Sequence, residues 1–332
     1  LANYGFTNII GVPEQEVLSG DFPTVASPNP EEPSAMAMAI EKAKETGAEV
    51  VMASDPDADR IGLVIRDNNG EYVLINGNQI VMIFLNYLMT RNTELGTLTG
   101  NEYIVKTIVT TETIRTIAEA QHIKMYDCFT GFKWIANVMR ENEGKARYLG
   151  GGEESYGFLA EDFVRDKDSV SAISLMAEIA AWAKDKGLNM TDMLIDIYMK
   201  YGFSREKGIS LVRKGKSGAE EIIALMKQFR ENPPKEIAGS PVVTVKDFQS
   251  LVETNVATGE TKKLDMPATS NVLQYYTADR TKVSVRPSGT EPKIKFYIEV
   301  HDTLASADEY KATEARADEK IGRIAKEFGI TK

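Results

Sequence analysis

The spacing of apolar and polar residues along the first part of the chain predicts strands that alternate with helices. The pattern predicts a strand at Asn8–Val12, a helix at Pro33–Thr46 and a strand at Ala48–Ala53. It then predicts a strand at Arg60–Asp67 and a helix at Asn78–Thr90. Strands that alternate with helices of about 10–15 residues are typical of βαβ units, so we expect a mostly parallel sheet here.

A second α/β unit is predicted further along, because the alternation of predicted strands and helices begins again at Glu102. Two helices close this unit, and we place its end near Gly202, where the pattern changes. The predicted elements are strands at Glu102–Ile108, Ile123–Cys128 and Ala146–Gly151, with helices at Glu112–Gln121, from about Phe132, at Ser169–Lys186 and at Met190–Tyr201.

The rest of the chain groups several short strands between two helices, Ala219–Arg230 and Leu304–Phe328. Such grouping indicates an α+β domain. Alternating apolar residues from Ile294 to Val300 indicate a half-buried strand, whereas the polar run Glu253–Asn271 shows no specific signal and is predicted to be a loop. The sequence therefore predicts three domains, at 1–92, 93–202 and 203–332.

Composition narrows the range of partners. At 332 residues the chain is long enough for two or three domains. A net charge of −10 argues against nucleic-acid binding, which needs basic surface to replace the counterions of phosphates. The longest apolar stretch, Ile80–Met89, is well short of the ~20 residues that cross a bilayer, so we expect no membrane partner.

Two further features concern compartment and processing. The single Cys128 cannot form an internal disulfide and is predicted to be buried, which favours a reducing cytoplasm. The chain begins at Leu1 without an initiator Met, in what reads as the last turn of a helix. We therefore expect that a preceding segment has been removed.

Three carboxylates, Asp55, Asp57 and Asp59, stand at every second position between two apolar strands. An EF-hand loop starting at Asp55 would need Gly at its sixth position and Glu at its twelfth, where this chain has Arg60 and Arg66. The calcium-sensor interpretation therefore fails. Carboxylate oxygens suit Mg²⁺, which usually keeps open coordination positions for water or a phosphate oxygen. The alternative is a solvated acidic turn.

The glycine-rich loop Gly150–Phe158 also follows a predicted strand. It matches neither the dinucleotide fingerprint nor the P-loop, because Gly157 is followed by Phe158 rather than by Lys and a hydroxyl residue. Glu153 and Ser155 lie on one side of an extended segment, which would suit hydrogen bonds to sugar hydroxyls. The alternative is a connector whose acidic residues face water.

A third loop begins at Arg286 in the sequence RPSGTEP. Arg286 supplies a fork-shaped cation, Ser288 and Thr290 supply hydroxyls, and Gly289 gives a permissive backbone. These groups are the parts of an anion site, which stands out in an acidic protein. The alternative is a plain turn.

The stretch TGFKWI places Lys133 at the start of a predicted helix. The positive end of a helix disfavours a protonated amine and so favours a lysine that exchanges protons. Phe132 and Trp134 would help to exclude water from it. The alternative is an ordinary surface lysine.

Together and in this order, these loops resemble those of the alpha-D-phosphohexomutase family, in particular its phosphoglucomutase and phosphomannomutase members. DPDADR is similar to the family's magnesium loop, GEES to its sugar loop, RPSGTEP to its phosphate loop and TGFKWI to the segment with its catalytic lysine. The resemblance implies two mixed α/β domains, the first one truncated, plus a C-terminal α+β domain. It implies magnesium held by Asp55, Asp57 and Asp59, catalytic roles for Lys133 and Arg60, and substrate binding by Glu153, Ser155, Arg286, Ser288, Gly289, Thr290 and Lys295.

The implied reaction interconverts hexose 1-phosphate and hexose 6-phosphate through a bisphosphate intermediate. The family's phosphoserine lies in a first domain that this chain lacks, so we expect the 332-residue chain to show no turnover without that partner domain. Ser27 precedes Pro28 and Asn29 in a superficially similar way, but the flanking Thr and His of the phosphoserine loop are missing.

The sequence departs from some bacterial members of the family, which carry a His shortly after the sugar-loop serine. Here Tyr156, Gly157 and Phe158 follow, which favours Lys133 for proton transfer and leaves His122 and His301 as structural residues. Two alternatives stay open: a mutase acting on a pentose phosphate, and a non-catalytic sugar-phosphate binding module. The choice between glucose and mannose also stays open.

Overall fold

The computed structural model describes residues 1–213, 215–289 and 291–330. Its contacts divide the chain into two units, Leu1–Tyr201 and Gly202–Lys332. The finer division into three domains stays a prediction.

Three antiparallel strands form the first sheet of the N-terminal unit, in the order β1 (Val50–Ser54), β2 (Ile61–Arg66) and β3 (Tyr72–Ile75). Helix α1 (Pro33–Thr46) packs on it and has the predicted bounds. The prediction of a mostly parallel sheet in this part of the chain is wrong. Residues 55–60 join β1 directly to β2, and a parallel pair would need a crossover of about a dozen residues or more.

Residues 8–12 do not form the predicted strand. They have irregular backbone, and Ile9 and Ile10 are each 47% exposed. An apolar strand needs a neighbouring strand for its N–H and C=O groups, and the described part of the chain provides none at this place. Strand β3 was not predicted because its four residues are too few to show an alternating pattern.

The second sheet of the N-terminal unit confirms the predicted strand and helix alternation. Its order is β5-β4-β6-β7, with β4 parallel to β5 and β6, and β7 antiparallel to β6. The loops that follow β4, β5 and β6 therefore leave from one edge of the sheet. The elements are α2 (Gly77–Glu94), β4 (Glu102–Thr107), α3 (Thr113–Ala120), β5 (Lys124–Cys128), α4 (Phe132–Asn142), β6 (Arg147–Gly152), β7 (Phe158–Ala160), α5 (Ser169–Asp185) and α6 (Met190–Tyr201).

The C-terminal unit has the predicted α+β character. An antiparallel sheet in the order β12-β11-β10-β13-β14-β15-β8, with β9 paired to β10, carries both helices of the unit against its apolar face. The elements are β8 (Phe203–Val212), α7 (Gly215–Glu231), β9 (Glu236–Ile237), β10 (Ser240–Asp247), β11 (Val252–Asn255), β12 (Thr261–Lys263), β13 (Leu273–Thr277), β14 (Lys282–Pro287), β15 (Lys293–Asp302) and α8 (Tyr310–Glu327).

One prediction for the C-terminal unit is wrong. The polar run 253–271, predicted to be a loop, contains most of β11 and all of β12, which pair antiparallel. β11 is at most half-buried and β12 is exposed, and their mainly polar residues lack the apolar alternation that reveals a strand. Across the described ranges, none of the helices combines the length and apolar character that crossing a bilayer requires.

Candidate active site

The acidic loop between β1 and β2 is closed by its first carboxylate. Asp55 is 7% exposed, and its Oδ1 accepts hydrogen bonds from the backbone N–H groups of Asp59 and Arg60, both at 3.0 Å. The turn also needs Ala58 in the left-handed region, at φ 56°. Burial raises the pKa of Asp55, and the two N–H groups act in the opposite sense.

The loop brings its three carboxylates together. Asp55 is buried, Asp57 exposed and Asp59 half-buried, and one ligand atom of each lies within 4.8 Å of the others. Asp59 Oδ1 is buried and has no hydrogen-bond partner within the described residues. Like charges held this close repel one another, and a divalent cation with oxygen ligands removes that repulsion. The donor set therefore fits Mg²⁺.

Arg60 neutralises part of this charge. Its Nε lies 3.2 Å from Asp55 Oδ2 and 3.6 Å from Asp59 Oδ1. Its Nη1 lies 3.3 Å from Glu31 Oε1 and donates to Asn29 Oδ1 at 3.4 Å. The structure thus places Arg60 in ion pairs that brace the acidic loop.

Lys167 is a site residue that the sequence did not reveal. Its Nζ lies 2.9 Å from Asp59 Oδ2 and 3.9 Å from Glu153 Oε1. The stem passes over Gly157, where an added Cβ would lie 2.7 Å from Lys167 Cδ. In the sequence Lys167 stands in a charged run that reads as a solvated connector, and only the tertiary pairing distinguishes it.

The predicted sugar loop joins β6 to β7 through residues 153–157 and contacts the acidic loop. Gly157 forms an antiparallel bridge with Arg60, and Ile61 N donates to Tyr156 O at 3.1 Å. Glu153 is 5% exposed, and its Oε2 accepts from Gly131 N, just before α4, at 3.1 Å. Ser155 is half-buried.

Opposing influences act on the pKa of Glu153. Burial raises its pKa, and the neighbouring carboxylate of Glu154 adds to this effect. Lys167 and the Gly131 N–H lower it, because both favour the charged form. Glu153 is therefore a buried acid whose charged form is favoured by the Lys167 ammonium group and by one backbone donor.

Glu154 anchors the same loop from beneath and was also not predicted. Its Oε2 accepts from the hydroxyl of Thr107, the last residue of β4, at 3.1 Å and from that of Thr110, in the loop that follows, at 3.5 Å. Gly77, the first residue of α2, approaches so closely that an added Cβ would lie 2.0 Å from Glu154 O. The loop is thus held between the end of β4 and the start of α2.

Lys133 is the second residue of α4, at the helix start predicted for it. Its side chain is exposed, and Nζ lies 5.5 Å from the centre of the Trp134 ring. The helix begins directly after Gly131, its N-cap residue, whose N–H donates to Glu153. Lys133 therefore lies two residues after the backbone group that contacts the sugar loop.

The predicted phosphate loop is the hairpin between β14 and β15 in the C-terminal unit. Arg286 and Lys295 are direct cross-strand partners, both half-buried, and the described residues give neither of them an ion pair. Two cations opposite each other are unfavourable unless an anion lies between them. Ser288 shapes the turn, since its N donates to Lys293 O and its Oγ accepts from Glu291 N. Gly289 is exposed, and Thr290 lies outside the described residues.

Comparison with known proteins identifies the family. Three domain models of the phosphoglucomutase/phosphomannomutase family match in sequence: alpha/beta/alpha domain II at residues 1–70, alpha/beta/alpha domain III at 76–201 and the C-terminal domain at 230–326. The chain belongs to this family. The resemblance inferred from the four loops is thus confirmed, and so is the fold class.

Curated relatives include the phosphoglucomutases of Staphylococcus haemolyticus, 34% identical over 301 residues, and Staphylococcus epidermidis, 36% identical over 298 residues. These matches cover 91% and 90% of this chain, and 54% of each relative. The chain therefore spans about half the length of the curated relatives it matches.

Solved structures of the family share the fold. Parafusin, a phosphoglucomutase from Paramecium in an open form, aligns with a TM-score of 0.58 at 17% identity, over 92% of this chain and 52% of its own. A phosphoglucomutase/phosphomannomutase family protein from Burkholderia thailandensis aligns with a TM-score of 0.57 at 20% identity, over 94% and 54%.

Proposed function

We propose that this chain is the metal-, sugar- and phosphate-binding part of a magnesium-dependent hexose phosphate mutase. The carrying observation is the acidic loop, whose three carboxylates present ligand atoms within 4.8 Å of one another. The buried Asp59 Oδ1 has no hydrogen-bond partner among the described residues and lies 3.6 Å from Arg60 Nε, so its lone pairs are available to a cation. Bound there, Mg²⁺ would supply electrostatic stabilisation to a phosphoryl group in transfer.

The residues around the acidic loop have separate tasks in this proposal. Asp55, Asp57 and Asp59 hold the ion, and Arg60 keeps Asp55 and Asp59 in place through its ion pairs. Lys167 provides an ammonium donor between the acidic loop and the sugar loop. Lys133, exposed at the start of α4, is the group we assign to proton exchange with the sugar hydroxyl.

The sugar and phosphate groups of the substrate are assigned to two loops. Glu153 accepts hydrogen bonds from sugar hydroxyls, and Ser155 donates to them or accepts from them. The Gly131 N–H orients the Glu153 carboxylate. Arg286 and Lys295 hold the non-reacting phosphate, which removes the repulsion between these two cross-strand cations. Ser288, Gly289 and Thr290 complete the predicted phosphate loop.

The reaction needs a phosphoserine that we assign to a further domain of the same protein. Its phosphoryl group passes to the free hydroxyl of a hexose monophosphate and gives a bisphosphate. The bisphosphate then returns its other phosphoryl group to the serine, so that one hexose phosphate isomer replaces the other. The buried Cys128 fits a reducing compartment, and we place the protein in the cytoplasm.

The test uses the longer protein that carries this chain with a phosphoserine domain, here called the parent protein. Conversion of glucose 1-phosphate to glucose 6-phosphate is followed with Mg²⁺, for the wild type, Asp57→Asn and the exposed control Asp185→Asn. We expect activity that Asp57→Asn reduces at least a hundredfold and Asp185→Asn leaves unchanged. Full activity of Asp57→Asn would overturn the proposal.

Two further arms separate the alternatives. Preferred turnover of ribose 1-phosphate by the parent protein would indicate a pentose phosphate mutase. Tight binding of glucose 6-phosphate without turnover of any sugar phosphate would indicate a binding module. The 332-residue chain alone is expected to show no turnover, because the nucleophile lies elsewhere, and sustained mutase activity of this chain would contradict that assignment.

A further inference from the structure

Lys167 lies between a carboxylate of the acidic loop and a carboxylate of the sugar loop. Its ammonium group lies 2.9 Å from Asp59 Oδ2, and the second carboxylate within ion-pair distance is that of Glu153, at 3.9 Å. The side chains of Lys167 and Glu153 are 20% and 6% exposed, so water screens their interaction only in part. One ammonium group therefore serves a predicted metal ligand and a predicted sugar ligand.

The backbone next to Lys167 is fixed, whereas its ammonium group is not. Asp168 N donates to Phe158 O at 3.1 Å, and Ser169 N donates to Ala58 O at 2.9 Å. The stem crosses Gly157, which leaves space that a Cβ would occupy. Because the four-carbon stem of a lysine is flexible, the ammonium group can move between two carboxylates while the backbone stays in place.

The charge of the acidic loop differs with and without a divalent ion. Without it, the basic partners of this cluster among the described residues are Arg60, on Asp55 and Asp59, and Lys167, on Asp59. With it, a cation within contact of Asp59 lies close to the ammonium group, and the two repel. Arg60 contacts four residues at once, namely Asp55, Asp59, Glu31 and Asn29, whereas the ion pairs of Lys167 within the described residues are with Asp59 and Glu153. Of the two basic residues, Lys167 is therefore the one that can withdraw.

We propose that Lys167 is a resident counter-cation that metal binding displaces from Asp59 to Glu153. The step breaks one ion pair and forms another, and the lysine keeps its proton throughout. Metal occupancy is thereby coupled to the charge next to the sugar loop, which makes Lys167 a positioning residue. This inference rests on the proposed function, because it takes the acidic loop as the metal site.

The sign of one measurement tests this. If the ammonium group competes with the metal, Lys167→Met removes a like charge and tightens Mg²⁺ binding. For a divalent ion and an ammonium group roughly 5 Å apart in water, the expected gain is about four- to fifteenfold, the lower figure applying at physiological salt. If Lys167 only braces the loop, the same substitution loosens the loop and weakens Mg²⁺ binding. Lys167→Arg keeps the charge and should bind Mg²⁺ close to the wild-type affinity.

The experiment is calorimetric titration of the 332-residue chain with MgCl₂. The matched control is Lys184→Met, since Lys184 lies near the other end of α5 and pairs with Glu49 at 2.9 Å. At about 1.5 Å per residue it is some 20 Å along the helix from the site, so its loss should leave the affinity unchanged. Circular dichroism establishes that each variant is folded, and Lys167→Gln replaces Lys167→Met if the latter is not.

Each outcome decides something different. Tighter binding by Lys167→Met with unchanged Lys184→Met supports the displacement. Equal or weaker binding by a folded Lys167→Met, with a wild type that binds Mg²⁺, overturns the displacement and leaves the metal site standing. A wild type that does not bind Mg²⁺ overturns the metal site of the proposed function and, with it, this inference.

Discussion

Gly77→Ala is predicted to destabilise the N-terminal unit through a single methyl group. The new Cβ would lie 2.0 Å from Glu154 O, 2.7 Å from Glu154 C and 2.8 Å from Tyr156 N. All three atoms belong to backbone, so no side chain can rotate away to make room. Either the start of α2 or the sugar loop must move by more than 1 Å to reach an ordinary contact distance of about 3.5 Å.

The size of the effect follows from that geometry. Overpacking costs about 1–3 kcal/mol when side chains can adjust, and a backbone clash belongs at the upper end, so we expect a loss of about 3 kcal/mol. A loss of this size raises the unfolded fraction roughly a hundredfold, against a total stability of about 5–15 kcal/mol. The displaced sugar loop should also weaken glucose 6-phosphate binding.

The assay is urea unfolding followed by tryptophan fluorescence. Trp134 and Trp182 are the two tryptophans of the chain, and both lie in the N-terminal unit, so the signal reports that unit alone. The control is Gly20→Ala, where an added Cβ has nothing within 4 Å and the φ angle is not left-handed. The reasoning is refuted if Gly77→Ala costs less than about 1 kcal/mol or matches Gly20→Ala.

Three further predictions concern buried charge, anion binding and pH. Lys106→Met should cost about 1–3 kcal/mol in the same fluorescence assay, because Lys106 is 0% exposed and Glu112 and Asp127 lose one of their two basic partners, Arg115 being the other; a loss under about 0.5 kcal/mol, the limit of that assay, would contradict this. Arg286→Ala should weaken glucose 6-phosphate binding to the chain at least tenfold in calorimetry and leave Mg²⁺ affinity unchanged, whereas the exposed control Arg323→Ala should change neither. Burial raises the pKa of Asp279, but hydrogen bonds from Lys320 and two threonine hydroxyls outweigh burial and hold the pKa below its usual value. The ionised Asp279 therefore stabilises the fold above about pH 4, and this stabilisation is lost as the pH falls through the lowered pKa. Asp279→Asn should therefore be less stable than the wild type at pH 7 and equal to it in strong acid, as measured by circular dichroism; a gap that persists in acid would refute the assignment.

The helices and the acidic loop could be predicted because their signals are local. Pro33 and the apolar spacing behind it mark α1, and Gly47 in the left-handed region ends it. Asp55, Asp57 and Asp59 lie within five consecutive residues, so their clustering needs no knowledge of the tertiary fold. The strand at residues 8–12 failed for the complementary reason, since a strand depends on a partner that its own residues do not encode.

The contacts that hold the sugar loop could not be predicted from local pattern. Lys167 meets Asp59 across more than a hundred residues of sequence, and Glu154 meets Thr107 across more than forty. Both residues stand in polar runs where charge normally indicates solvent exposure. The close approach of Gly77 to Glu154 leaves no sequence signal either, because a glycine at the start of a helix has several ordinary explanations.

The central claim is that Asp55, Asp57 and Asp59 hold one divalent cation, and a crystal soaked in Mn²⁺ tests it most directly. Mn²⁺ takes the same oxygen ligands as Mg²⁺ and is visible by anomalous diffraction. The account predicts a single strong anomalous peak within coordination distance of all three carboxylates, and its loss in Asp57→Asn. No peak at the loop, with the three side chains turned apart into solvent, would contradict it.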